Sequence, residues 1–201
     1  ELYFRAESGD WEGELVVTDG TVAGTQPVAW AAGLETGLLM AIGDQIFFSA
    51  DDGEHGEELW VTDGTESGTQ MLKDINPEGG SSLGAFVEYD GKLIFRAIAE
   101  GGRYEPWISD GTTKGTKMLK DLLDYDSSGK PPGVNGSYPR AWLEYDGRLF
   151  FEASSAGVSS DPELWATDGT TEGTEIISEV RAYFTRGRDI HDGQLYFVGS
   201  G

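Results

Sequence analysis

The sequence predicts an all-β fold, a β-propeller-like array of four-stranded antiparallel blades, read as an arc of a larger ring with a closed four-bladed ring as the alternative. Three observations predict it. The segment ELWVTDGTESGT at residues 58–69 returns as ELVVTDGTVAGT at 14–25, EPWISDGTTKGT at 105–116 and ELWATDGTTEGT at 163–174. Its aspartates, Asp19, Asp63, Asp110 and Asp168, stand 44, 47 and 58 residues apart. The first two spacings fall within the about 40 to 50 residues of a propeller blade, the third is longer, and all exceed most leucine-rich or helical repeats. Between signatures lie short β-type runs divided by glycine and aspartate, and helical periodicity is convincing nowhere.

The unit around Asp110 gives the order of elements. Run a is AFVEY at 85–89, closed by Asp90-Gly91, a pair that favours a tight hairpin because both positions tolerate positive φ. Run b follows as KLIFRA at 92–97. After an irregular segment at 100–104 comes run c, PWIS at 106–109, and the signature turn leads into run d, KMLKDL at 117–122. Run b recurs at 46–50, 149–153 and 195–198, and hairpin pairs recur at Gly43-Asp44, Asp146-Gly147 and Asp192-Gly193. Leu149-Phe150-Phe151 and Leu59-Trp60-Val61 are apolar on both faces, as a strand is when both sides of its sheet are covered. Counting runs gives four complete sets and one surplus b strand at 195–198, within one domain spanning residues 1–201.

The signature reads as turn chemistry. After Thr62 the chain must reverse into run d, and Gly64 and Gly68 are expected to supply backbone angles that residues with a Cβ avoid. Asp63 is placed to accept hydrogen bonds from amides just ahead of it, and Thr65 and Thr69 to bond back onto the turn. A residue present in every copy serves the geometry of the unit. Specific function is therefore expected where the copies differ.

ELWVTDGTESGT and ELWATDGTTEGT resemble the ELWxxDGT repeat family of large, mostly bacterial, secreted or surface-associated proteins, regarded as propeller-like. Copy one departs from the pattern with Val16 in place of the tryptophan, and copy three with Pro106 in place of the leucine. The resemblance covers nearly the whole chain and implies a bacterial extracellular repeat module, with further repeats of the same polypeptide as its neighbours. It brings no established chemistry with it. The Asp-containing turn after run c is also similar to the Asp-box of sialidase-type propellers, whose tryptophan lies after the turn and not before it.

Composition limits the partners. The 201 residues are 38% hydrophobic and 11% aromatic, enough for a real core. With 36 acidic against 14 basic residues the net charge is −22, which repels phosphate backbones and anionic membrane surfaces. Nucleic acid is an unsuitable partner. No cysteine is present, so disulfides and thiolate metal sites are unavailable. No apolar run reaches the roughly 18 residues of a membrane-spanning helix, so membrane insertion is not expected. The first residues, ELYFRA, look like the middle of a repeat, as in a piece of a longer protein.

Laid out as blades, the b-to-c and d-to-a loops share one end and vary in length, and variable loops on a rigid scaffold are where binding normally resides. Calcium is the candidate ion. Asp124, Asp126 and Ser128, followed by Gly129, place oxygens at alternate positions like the opening of a looped calcium site, although the twelfth position is Asn135 where such a loop has glutamate. Asp51, Asp52, Glu54 and Glu57 form a second acidic cluster.

Enzymatic signals are poor. Gly80-Ser81-Ser82-Leu83-Gly84 matches a nucleophile-elbow pattern but no helix is expected after it. His55 and His191 sit in no ligand or triad pattern. Arg5 and Arg96 recur at one position of run b, where pairing with neighbouring acids competes with a sialidase-like anion site. Trp60, Trp107 and Trp165 recur in register and are expected in the core. Trp11, Trp30, Trp142, Tyr104, Tyr125 and Tyr138 lie off that register, where exposed rings would stack on a sugar or a partner side chain. The expectation is a non-enzymatic binding or adhesion scaffold acting through its loop face on a protein or carbohydrate ligand. A carbohydrate-active enzyme of propeller fold and a structural spacer are the alternatives.

Overall fold

The computed structural model describes residues 2–7, 9–28, 31, 33–99, 101–123, 136–156, 161–184 and 186–200. Its regular elements are β-strands. β1 (Leu2–Arg5), β2 (Leu15–Thr18) and β3 (Gln26–Pro27) form a three-stranded antiparallel sheet. β4 (Glu35–Ile42), β5 (Gln45–Asp51), β6 (Glu57–Thr62) and β7 (Gln70–Lys73) form a four-stranded one. β8 (Gly84–Tyr89), β9 (Lys92–Ala99), β10 (Arg103–Ser109) and β11 (Lys117–Met118) form the next. β12 (Arg140–Tyr145), β13 (Arg148–Ala153), β14 (Glu163–Thr167) and β15 (Glu175–Ala182) form another. β16 (Arg188–His191) and β17 (Gln194–Phe197) make a hairpin, and β18 (Gly199–Ser200) pairs with the outer edge of β15.

Each sheet is a meander in chain order, joined at Asp90-Gly91, Asp146-Gly147 and Asp192-Gly193 by turns whose two residues all have positive φ, from 49° to 71°. Those angles match the twist of the flanking strands. The first strands β4, β8 and β12 of successive sheets lie beside one another. Along β9 the faces alternate: Leu93 and Phe95 pack toward the preceding sheet with Phe47, Leu59 and Val61, and Ile94 packs toward the following one with Trp142, Leu149 and Phe151. All three β9 side chains are fully buried, each stabilising by about 1.5 to 3 kcal/mol. This is why runs b and c read as apolar on both faces. Trp60, Trp107 and Trp165 lie against Phe48, Phe95 and Phe151, with ring centroids 6.3, 6.4 and 6.4 Å apart; Trp107 and Trp165 are buried as the register predicts, and Trp60 is half-buried.

The strand count differs from the sequence reading. Among the described residues three sheets carry all four runs, the first sheet has b, c and d, and the supposed surplus b strand is paired with β16. Within the segment at 100–104, Arg103 and Tyr104 belong to β10, because β9 and β10 extend to pair Ala99 with Arg103, and Gly101 and Gly102 form the turn between them. Run d shrinks to Lys117–Met118. Pro106 accepts a 2.8 Å hydrogen bond from the Leu119 amide but has no N–H to return on that side, so the ladder stops.

The signature turn is built as expected except at one glycine. The Asp63 Oδ1 accepts from the Thr65 amide and hydroxyl at 2.9 and 2.7 Å, and the Thr69 hydroxyl donates to the Thr65 carbonyl at 2.6 Å. Asp19, Asp110 and Asp168 repeat the first two bonds. The threonine hydroxyl is the largest cause that holds all four carboxyls below the ordinary range. Gly64 has a φ of 91°, as required. Gly68 does not: a Cβ built there would overlap the Asp63 carboxylate, and the same holds at Gly24, Gly115 and Gly173. Close approach of a side chain, not backbone angle, selects that second glycine.

Candidate functional site

The loop end gathers its most distinctive side chains where the sheet β8–β11 meets β12–β15. Arg96, in the middle of β9, faces the following sheet because it shares a strand face with Ile94. Its guanidinium carbon lies 4.1 Å from the centre of the Tyr138 ring and 5.2 Å from that of Tyr104. The two tyrosines meet edge to face at 4.9 Å. Tyr104 arrives at the start of β10, and Tyr138 comes from the segment entering β12, held at a positive φ of 53°. A Cβ at Gly84 would collide with an Arg96 Nη2 at 2.5 Å, so this glycine gives the guanidinium its room.

The equivalent positions of the next sheet carry Arg140 and Glu152. There the Arg140 Nε donates to the fully buried Glu152 at 2.8 Å. Arg140 also stands 5.8 Å from the Tyr138 ring centre. Arg96 has no such acid among the described residues, and its buried Nε is without a hydrogen-bond partner. The sequence raised two options for Arg96, a nearby acid or an anion site; its neighbours are two phenol rings, which attract the cation without neutralising it.

Other aromatic residues divide. Trp142 is buried, with its Nε1 donating to the Ala85 carbonyl at 2.6 Å and its ring 4.5 Å from Phe151, which corrects the expectation of an exposed ring. Filling the junction between sheets outweighs exposure. Trp11 is exposed. Trp30 and Tyr125 lie outside the described residues.

The predicted calcium residues Asp124, Asp126 and Ser128 also lie outside the described residues. In the other cluster, Asp51 and Glu57 pair across β5 and β6, and the Asp51 Oδ1 accepts from the Gly53 amide at 2.7 Å. Both Asp52 oxygens are engaged by its own loop. One accepts the Glu54 and His55 amides at 2.9 Å each, and the other meets the His55 Nδ1 at 2.8 Å. These amides, His55 first, pull the Asp52 carboxyl down to about 2, and its hydrogen bond raises the imidazole of His55. Among the described residues no three His, Asp or Glu side chains come together as a group suited to an ion.

Ser82 precedes a strand, β8, and not a helix, so the elbow pattern is coincidental. Its neighbour Ser81 reveals what the sequence reading overlooked, the first residue of the signature. Glu58 is fully buried and accepts from the Ile75 and Asn76 amides at 3.0 and 3.3 Å and from the Ser81 hydroxyl. Glu105 repeats this with the Leu122 amide at 3.1 Å, the Ser137 amide at 3.2 Å and the Ser137 hydroxyl at 2.8 Å. Burial raises both carboxyls, that of Glu105 to about 7. The available signal was a glutamate beside Leu and Trp in a strand, which is costly unless partnered. These two glutamates tie β6 and β10 to the crossover entering the next sheet. They are spent on structure.

No family model and no curated protein matches the chain. Among solved structures, an α-L-arabinofuranosidase from Clostridium thermocellum is similar at 13% identity and a TM-score of 0.32. The match covers 69% of this chain, which spans about half of that protein, 48% of its length.

Proposed function

We propose that the chain is an arc of a β-propeller of the ELWxxDGT type, serving an extracellular or cell-surface protein as a non-enzymatic scaffold that binds carbohydrate at its loop end. The observation that supports this reading most is Arg96 held between Tyr104 and Tyr138. Phenol rings beside an acid-free guanidinium offer a sugar an apolar stacking surface and a donor for its hydroxyl or carboxylate oxygens. The buried, raised carboxyls, by contrast, are fully occupied by amides and serines.

A glycan array followed by calorimetry on the purified protein tests the proposal. A ligand should bind, and Arg96→Gln and Tyr138→Ala should each weaken it at least tenfold while leaving the fold intact by circular dichroism. Equal binding by both variants, or turnover of a glycoside, would overturn it. Calcium at Asp124, Asp126 and Ser128 belongs to the same proposal, and a melting temperature that does not rise with added calcium would remove it.

A further inference from the structure

The opposite, signature-turn end is uniform in outline but not in charge. At the first position of strand b and the first position of strand d, which flank strand c, the sheet β12–β15 has Arg148 and Glu175, joined by a 3.0 Å ion pair. The Arg148 Nη2 also donates to the Gly173 carbonyl at 3.0 Å. The sheet β4–β7 has Gln45 and Gln70 at these positions. The sheet β8–β11 has Lys92 and Lys117, two cations where its neighbour pairs opposite charges. Lys114, in its signature turn, replaces Ser67 and Glu172 of the other two.

These three lysines line one cleft of about 410 Å³ with Asp110, Thr112 and the Gly169 backbone of the next turn. Asp110 already binds the Thr112 amide and hydroxyl. Lys92 reaches exposed Asp90 only at 3.8 Å, and among the described residues Lys114 and Lys117 have no ion pair. Three lysines against Asp110 and Asp90 make this a locally cationic cleft in a chain of net charge −22. Lys92 and Lys117 stand on either side of strand c, where Lys117 pairs with Ile108, and they converge with Lys114 only in this cleft.

The geometry points to an oxyanion site here: the Lys92–Lys114–Lys117 cleft binds a sulfate, phosphate or carboxylate group, free or carried on an acidic glycan. The lysines supply adjustable N–H donors and positive charge to the anion. The site lies at the other end of the sheets from Arg96 and stands independently of the proposed loop-end function.

Calorimetry at constant ionic strength tests it, with sodium sulfate and sodium phosphate against sodium chloride, and with a sulfated disaccharide against its unsulfated form. Saturable binding of the free ions assigns the free anion, and binding of the sulfated sugar alone assigns the glycan-borne group; either supports the site. Lys117→Glu rebuilds the pairing of Arg148 with Glu175, so it should keep or raise the melting temperature while weakening binding at least tenfold. Lys114→Ala is a second, milder variant expected to weaken it severalfold. No saturable binding by any of these anions, or binding unchanged in both variants, would overturn the assignment.

Discussion

The phenol of Tyr89 donates a 2.6 Å hydrogen bond to the Gly147 carbonyl, joining the first hairpin of one sheet to that of the next. Tyr145 repeats the bond onto the Gly193 carbonyl, also at 2.6 Å. Tyr89 is buried, so Tyr89→Phe should cost about 1 kcal/mol. The Tyr145 bond is solvent-exposed, so Tyr145→Phe should cost less, since water can replace the phenol. Urea unfolding of the two variants measures the difference, and equal costs would contradict this account.

Glu105 should titrate near 7 in the folded protein, because burial disfavours its anion more than its hydrogen bonds favour it. The folded state then holds a proton that the unfolded chain releases near pH 4.5. This contribution to stability is complete below that value and is lost as pH rises to about 7. Relative to Glu105→Gln, the natural protein should lose melting temperature across this window. Carbon NMR of the Glu105 carboxyl gives the midpoint directly, and a midpoint near 4.5 would refute the prediction.

Gly68→Ala should destabilise severely, since its Cβ would overlap the Asp63 carboxylate. Asp63→Ala should destabilise the turn less than Gly68→Ala, because the Thr65 amide and hydroxyl that lose their acceptor are solvent-exposed and water can take its place. The double variant should be more stable than the sum of the two losses, because removing the carboxylate removes the collision. Additive losses in a double-mutant cycle would show that backbone angle, and not side-chain contact, selects the glycine.

Asp52→Asn should lower the His55 titration midpoint toward 6.5, because the Asp52 hydrogen bond is the main cause of its elevation. The pair's contribution to stability is present between pH 3.8 and 6.5, fades as pH rises through the raised His55 value, and is lost as pH falls to the Asp52 value of about 2. Proton NMR of the His55 ring reads this shift. An unmoved midpoint would mean that the carboxylate and imidazole do not interact in solution.

Glu105 and Gly68 show the two ways in which the sequence was harder to read than its repetition suggests. The order of strands, the hairpins at Asp90-Gly91 and Asp146-Gly147, and the Asp63–Thr65 turn were legible because each depends on residues a few positions apart. Gly68 was read as a backbone requirement when it is a steric one, since sequence shows that a side chain is missing but not what fills the space. The role of Glu105 is not legible because its partner Ser137 lies across a crossover of variable length. The position of Trp142 is not legible for a related reason: being out of register does not tell whether a ring enters the junction between sheets. Tyr104 and Tyr138 were singled out as rings outside the repeat, and Arg96 as a recurring cation, but their meeting was not legible.

By itself the sequence determined the unit, its strand order and its turn chemistry, because alternation along a strand and hydrogen bonding within a turn act over short chain distances. Which unlike residues of neighbouring units share a surface depends on how the sheets pack: Arg96 meets Tyr138 at one end, and Lys92, Lys114 and Lys117 share one cleft at the other. Those neighbourhoods arise from side chains packing sheet against sheet. That packing joins residues far apart in the chain and leaves no period in the sequence to reveal it.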